Sequence, residues 1–243
     1  IWVLVCVLLV AGVVVVVWYM RKKREFLRQR FFQQINRVRM ENLRSRISPH
    51  FTFNVLGREI NQFNGSEEVK HNLMELVKYL RRSLELTEKL SVSLQDELDF
   101  VRTYIELERG RVGEDFVATI TVEDGLDATR IMIPSMIVQI PVENAIKHGL
   151  AGKDGKKELM VYVSRETNGI RITVTDNGRG YLPQVVSATR GTGTGLKVLY
   201  QTIQLLNTKN KSDKIRFNIT NRSDGQTGTE VSVYIPFRFS YDL

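Results

Sequence analysis

Three short segments in the second half of the chain carry residue types that together suit a nucleotide and its metal. The first is Glu143-Asn144-Ala145-Ile146-Lys147-His148-Gly149. On a helix, Asn144, Lys147 and His148 fall at i, i+3 and i+4 and share a face. That face offers one neutral oxygen ligand and one or two cations. Magnesium takes oxygen ligands and keeps positions for phosphate, so the set fits a magnesium–phosphate group; an ordinary polar helix face is the competing reading. The second is Asp176-Asn177-Gly178-Arg179-Gly180, after a stretch in which Ile170, Ile172 and Val174 alternate. A carboxylate followed by spaced glycines lies next to backbone that another molecule can approach closely. It can accept from an exocyclic amine, which adenine carries and guanine lacks at that position. The alternative is an Asp-Asn-Gly hairpin turn, but the next glycine cluster begins only at Gly191. The third is Gly191-Thr192-Gly193-Thr194-Gly195-Leu196, opening a predicted helix. Bare backbone N–H groups at a helix start favour phosphate. The segment lacks the Gly-Lys-Ser/Thr ending of a Walker loop and the spacing of a dinucleotide fingerprint. Each glycine segment is a weak signal alone; the ordered trio is a strong one.

A fourth candidate lies upstream, in Ser48-Pro49-His50-Phe51-Thr52-Phe53-Asn54. An imidazole is a fair nucleophile near neutral pH, because its ordinary pKa is about 6.5. Asn54, one helical turn on, is placed to orient the ring or a water. The other histidines, His71 and His148, lie far away in sequence and no acid cluster joins them, which argues against a zinc site.

These residues need elements to hold them. Residues 25–63 show Leu27, Phe31, Ile35 and Val38 at helical spacing, a pattern that suits packing on a second copy of the chain. Pro49 interrupts the stripe just before His50. Asn64-Gly65-Ser66 reads as a turn, followed by a helix with Val69, Leu73, Leu76, Val77, Leu80 and Leu84 on one face. The two helices form a hairpin, and two copies make a four-helix bundle. Ser93-Leu94-Gln95-Asp96 starts a third helix like a capping box, with Leu94, Leu98, Val101 and Ile105 as its buried stripe. Beyond Gly113 the texture changes. Phe116 to Val122 alternates as a strand, and Pro134 to His148 reads as a helix closed by Gly149. Leu159 to Ser164 and Ile170 to Thr175 form a hairpin through Asn168-Gly169. Thr194 to Leu206 is a helix, and Ile215 to Thr220 and Glu230 to Ile235 are closing strands. The order predicts one sheet covered on one face by helices.

Charge and hydropathy place the chain at a membrane. Of 243 residues, Ile1 to Met20 contain no charge, and a 20-residue helix rises about 30 Å, the thickness of the bilayer hydrocarbon. Trp18 and Tyr19 suit the interface, and Arg21-Lys22-Lys23-Arg24 marks the cytoplasmic side. A signal peptide would carry its charges before the apolar run. The net charge of +8 is local: residues 21–46 hold ten Arg or Lys and two Glu, while 25 residues of each sign balance elsewhere. It therefore reads as topology and attraction to anionic membrane lipid rather than a nucleic-acid footprint. The single cysteine, Cys6, excludes a disulfide framework. The first residue is Ile1, so the chain reads as the C-terminal piece of something longer, with any sensing part upstream.

The glycine trio resembles the N, G1 and G2 boxes of the GHKL (Bergerat) fold shared by histidine kinases, gyrase, a heat-shock chaperone class and MutL. The segment from Ser48 to Asn54 resembles the Pro-His-Phe-x-Phe-Asn phosphoacceptor motif of LytS/YesM-type sensor histidine kinases. Leu94 to Arg111 and Ile133 to Gly149 are also similar to that family, and the resemblance covers roughly residues 43–237. It implies an α+β chain divided as follows: a transmembrane helix over 1–20, a basic juxtamembrane helix or coiled-coil linker over 21–42, phosphoacceptor and dimerisation helices over 43–112, and a GHKL α/β sandwich that binds ATP over 113–238.

By the same resemblance, His50 is the phosphorylated residue and Asn144 holds Mg2+ bridging the phosphates of ATP. Lys147 and His148 contact phosphates. Asp176 accepts from the adenine amine, with Gly178 and Gly180 letting the ring approach. Gly193 and Gly195 flank the phosphates, and Thr229 supports Asp176 through water. The expected partners are a second copy of the chain and a response regulator whose aspartate takes the phosphate, and the expected location is the bacterial inner membrane. A mobile junction is expected near Arg109 to Gly113, so that the γ-phosphate can reach His50. The chain departs from the pattern at Thr52, where the family carries an aliphatic residue. Phe51 stands where many other histidine kinases place an acid, and this leaves the general base unassigned. Gly57 is unusual inside a helix. The alternatives are a degenerate kinase that signals only through helix pairing, and a serine kinase or ATPase of the same fold.

Overall fold

The computed structural model describes residues 12, 14–23, 25–26, 67–181, 194–208, 210 and 212–241. The elements are α1 (Glu67–Glu88), β1 (Ser91–Ser93), α2 (Leu94–Val112), β2 (Phe116–Val122), β3 (Met132–Pro134), α3 (Gln139–Asn144), β4 (Lys157–Glu166), β5 (Gly169–Asp176), α4 (Thr194–Asn207), β6 (Arg216–Asn221) and β7 (Thr229–Pro236). Helix α3 runs on into a π-helical turn, Ala145–Gly149. The described N-terminal residues, including Val14 to Met20, are helical, and Lys22 Nζ lies 5.3 Å from the Trp18 ring centroid. Among the described residues no helix is long and apolar enough to cross a membrane. The rest of the expected span, the linker, and the phosphoacceptor segment with His50 and Asn54 lie outside the described residues.

Five strands form a mixed sheet in the order β2-β4-β5-β7-β6. Only β2 and β4 run parallel. Alternation decides which face is covered. Leu159, Val161 and Val163 of β4, Ile170, Ile172 and Val174 of β5, and Val231, Val233 and Ile235 of β7 all point into one core. Met160 and Tyr162 on the other face of β4 are exposed. Side chains of α2, α3 and α4 close the covered face, which gives the predicted sandwich.

Helix α2 starts as the sequence indicates. The Ser93 hydroxyl accepts from Asp96 N–H at 3.0 Å, a cap whose removal typically costs about 1 kcal/mol. Leu94, Leu98, Val101 and Ile105 are all buried. The helix shares the core of the sheet and also packs against α1. The Arg109–Gly113 stretch, expected to be mobile, is tied down. The Arg109 guanidinium donates to Phe116 O at 3.3 Å, Lys157 Nζ donates to Val112 O at 2.6 Å, and Val112 is buried.

Other expectations are corrected. The buried side of α1 carries Leu76, Ser83 and Leu86, while Val77 is 58% exposed. Pro134 does not open a helix: it ends β3, which pairs antiparallel with β1 through Ser91↔Pro134, Val92↔Ile133 and Ser93↔Met132. Helix α3 begins five residues later, at Gln139. In the β4–β5 hairpin Glu166 pairs with Gly169, so Thr167-Asn168 form the turn. Gly169 opens β5 against β7, where a Cβ would meet Ile235 O at 2.3 Å.

Candidate functional site

Asp176 is the last residue of β5, and it is 4% exposed. Its Oδ1 accepts from Gly178 N–H at 2.8 Å and from Thr229 N–H at 3.4 Å. Burial raises its pKa above the ordinary carboxylate value. Hydrogen bonds from Gly178 and Thr229, then the charge of Arg222, act against that rise. The result is a shielded carboxylate held by backbone donors. Thr229 therefore touches Asp176 directly through its N–H.

Close packing around Asp176 needs glycine at three places. A Cβ on Gly149 would stand 2.8 Å from Asp176 Oδ1 and 3.1 Å from Oδ2, on the oxygens an amine must reach. One on Gly178 would stand 2.1 Å from Gly149 O, and one on Gly228, with φ +140°, would stand 1.9 Å from Asp176 O. The first and second motifs thus meet directly: Gly149 at the end of the π turn lies against Asp176 and Gly178, and Arg179 N–H donates to Gly149 O at 3.3 Å. Gly180 has φ +85°, and Asn221 Oδ1, which a Cβ there would approach to 2.8 Å, accepts from Tyr181 N–H at 2.6 Å. Asn177 is structural: its Oδ1 accepts from Glu158 N–H at 2.8 Å and its Nδ2 donates to Lys156 O at 3.0 Å. That use explains why Asp-Asn-Gly is not a hairpin turn here.

The first motif does not lie on one regular helix. The α-helical pattern stops at Asn144, and Leu150 N–H reaches back to Ala145 O at 2.8 Å in an i→i+5 bond. Such π turns widen the helix and recur at functional sites. Asn144 Nδ2 donates to Ile140 O at 2.8 Å, so its amide donor is engaged by its own helix. A neutral amide oxygen beside phosphates is a fitting ligand for magnesium. Among the described residues no group of three His, Cys, Asp or Glu could hold a metal ion. Lys147 pairs with Glu143, both largely buried. His148 is exposed at its edge. Desolvation lowers its pKa first, followed by the charges of Lys147 and Arg179, with Glu143 opposing. Its imidazole is thus mostly neutral at pH 7, a hydrogen-bonding group rather than a fixed cation.

Helix α4 packs beside α3 and carries Gly195 in its first turn; Gly193 lies outside the described residues, as do His50 and Asn54. The structure therefore gathers Asn144, Lys147, His148, Asp176, Gly178, Gly180 and Thr229 at one end of the sheet and sets the α4 start beside α3. Sequence reading assigned no role to Glu97, Gly228 and Asn221, and took Gly149 only as the end of a helix. For Glu97 a signal existed, because it sits at i+3 from Leu94 and i−4 from Val101, inside an apolar stripe.

A mixed sheet backed by helices, with a buried aspartate at a strand end packed against the glycine that ends a short helix, defines a GHKL-type nucleotide-binding domain. Residues 129–238 match the family described as "Histidine kinase-, DNA gyrase B-, and HSP90-like ATPase", and residues 38–116 match the family described as "Histidine kinase". With both regions present in that order, the chain belongs to the histidine kinases. It is 28% identical over 205 residues to the sensor histidine kinase YpdA of Escherichia coli K12, covering 84% of this chain and 35% of that protein. It is 32% identical over 197 residues to the sensor histidine kinase/phosphatase LytS of Staphylococcus aureus, covering 77% of this chain and 33% of that protein. The chain thus spans about a third of the length of these relatives. A solved histidine kinase domain from the Erythrobacter litoralis EL346 blue-light activated kinase aligns with a TM-score of 0.47 at 15% identity, covering 85% of this chain and 94% of that one.

Proposed function

We propose that this chain is the catalytic part of a membrane-anchored sensor histidine kinase that binds Mg-ATP, phosphorylates its own His50, and passes the phosphate to an aspartate of a response regulator. The observation that carries the reading is the buried Asp176 carboxylate at the strand end, against which residue 149 fits only as glycine. Asp176 reads the adenine amine, with Thr229 and Gly178 holding its other oxygen contacts. Lys147 exchanges Glu143 for phosphate, and His148 and the glycines at 193 and 195 line the phosphate end. Asn144 holds the magnesium ion, which neutralises phosphate charge. In the transfer itself an imidazole nitrogen of His50 attacks the γ-phosphorus, ADP departs, and the ring loses a proton. Little covalent work falls to the protein, and positioning and charge dominate.

We place the start of the ATP-binding domain before Ser91, because β1 and α2 belong to its core. The hairpin helices, pairing with those of a second copy, then end with α1. The approach to His50 requires α1 to shift on α2, since Arg109–Gly113 is fixed. The anchor is the apolar run of 1–20 in the bacterial inner membrane, with the basic residues that follow it against anionic lipid. Nucleic acid has no place in the scheme.

Incubation with γ-labelled ATP tests the reading. Wild-type chain is expected to retain label that is acid-labile and alkali-stable, and His50→Gln to retain none. Unlabelled wild type that still folds points to a degenerate, non-catalytic signalling module, and alkali-labile label points to a serine product.

A further inference from the structure

Helix α3, which carries the proposed magnesium and phosphate ligands, has no side-chain cap of its own. It is only six residues long before its π turn, far below the length at which an isolated helix stands in water. Its start is preceded by a turn in which Met136 takes φ +69°, a conformation that a long side chain adopts only when its surroundings enforce it. The N–H groups of this turn do not go to solvent. Met136 N–H donates to Glu97 Oε2 at 2.9 Å, and Val138 and Gln139 N–H donate to Glu97 Oε1 at 3.1 and 3.2 Å. Glu97, on α2, is fully buried, as is Gln139. One carboxylate from a neighbouring helix thus supplies the cap that the sequence of α3 lacks, and backbone donors converging on an anion form a strong charge-assisted set.

The far end of the same segment is fixed independently. Gly149 is locked against Gly178 and Asp176, and Arg179 N–H holds its carbonyl. The segment is therefore pinned at one end by the adenine-reading strand and at the other by Glu97. Asn144 and Lys147 lie between the two pins. Asn144 is five residues from the anchored Gln139, about 7.5 Å along a helix axis.

We propose that Glu97 is a positioning residue for the reaction: it fixes the start of α3 and so sets Asn144 and Lys147 against the phosphates, while leaving adenine recognition to the other pin. The proposal rests on the reading of Asn144 as the magnesium ligand. Glu97→Gln keeps the size and one acceptor oxygen but loses the charge and turns an N–H donor toward N–H donors. The turn at Met136 then relaxes, and a misplacement on the order of 1 Å at a phosphate-binding group costs as much as about a hundredfold.

The test measures binding of a non-hydrolysable β,γ-imido ATP analogue to the 243-residue chain by calorimetry, once with magnesium and once with EDTA. Wild type is expected to bind more tightly with magnesium. Glu97→Gln is expected to bind as wild type in EDTA but to lose about tenfold or more of the magnesium-dependent gain. Glu97→Gln with Met136→Gly is expected to recover part of it, because glycine holds a positive φ without help. The recovery also guards against a variant that simply folds poorly. Equal weakening in magnesium and EDTA overturns the proposal, since that marks a general stability role, and so does an unchanged magnesium gain. Wild type that shows no magnesium-dependent gain overturns the assignment of Asn144 instead, before any variant is compared.

Discussion

Asp176→Asn should weaken nucleotide binding and strengthen the empty fold at the same time. The carboxylate is buried, and its pKa is raised chiefly by that burial, against the hydrogen bonds of Gly178 and Thr229. A raised carboxylate pKa means that the folded chain holds the proton more tightly than the unfolded chain does. Its contribution favours folding below the ordinary value of 3.8 and is lost as pH rises through the raised value. Above that value the buried charge costs stability. Asparagine keeps an oxygen for Gly178 and Thr229 N–H and buries no charge. In thermal melts the variant should therefore melt above wild type at pH 7, and the difference should shrink as pH falls through the raised value towards 3.8. Binding moves the other way. A hydrogen bond to a charged group is worth about 1.5–3 kcal/mol, and each 1.4 kcal/mol is about tenfold. Losing the adenine contact should weaken the imido analogue by about 10- to 150-fold in calorimetry. An Asp176→Asn chain that binds as wild type, or that melts lower at pH 7, refutes the reasoning.

Two further outcomes follow from the same geometry. Gly178→Ala would force a methyl to 2.1 Å from Gly149 O, backbone against backbone, and should lower stability by about 1–3 kcal/mol in denaturant titrations while abolishing analogue binding. His148 has a lowered pKa in the fold, so its neutral form favours folding above the ordinary value of 6.5, and that contribution is lost as pH falls below it. His148→Gln should flatten the pH dependence of the melting temperature in that window. Phosphate bound nearby should raise the imidazole pKa, so calorimetry near pH 6 in buffers of different ionisation enthalpy should show proton uptake on binding by wild type and less by His148→Gln.

Much of the sheet was legible because its signal is local. Strands β4, β5 and β7 alternate cleanly, one face being core and the other solvent, and Ser93 with Asp96 announces α2. In the first two glycine motifs the signal has a steric cause: at Gly149 and Gly178 a Cβ would collide with neighbouring carboxylate or backbone, so only glycine fits. What could not be read is the start of α3. Ile133-Pro134 looks like a helix opening because proline suits a first helical turn. Those residues pair with Ser91 and Val92, some forty positions away, and a three-residue ladder leaves no periodicity to detect.

The same limit governs the site. A six-residue helix does not persist on its own propensity, so the position of Asn144 is decided by what grips the segment. At one end the grip is Gly149 against Asp176 and Gly178; at the other it is Glu97, reaching from α2 to three N–H groups. A charged residue inside an otherwise apolar helical stripe is the one mark this leaves in the sequence, and it is ambiguous until the partner is known. Glu108 repeats the mark about three helical turns later and is also fully buried, but its carboxylate pairs with Arg111 of its own helix. The same pattern therefore yields a local ion pair in one place and a distant cap in the other. The difference lies in the backbone donors that the Pro134–Val138 turn leaves without helical partners. Such donors cost free energy if buried unpaired, so a fold that starts a ligand-bearing helix in its interior must bring an acceptor from elsewhere, and α2 is the element in contact.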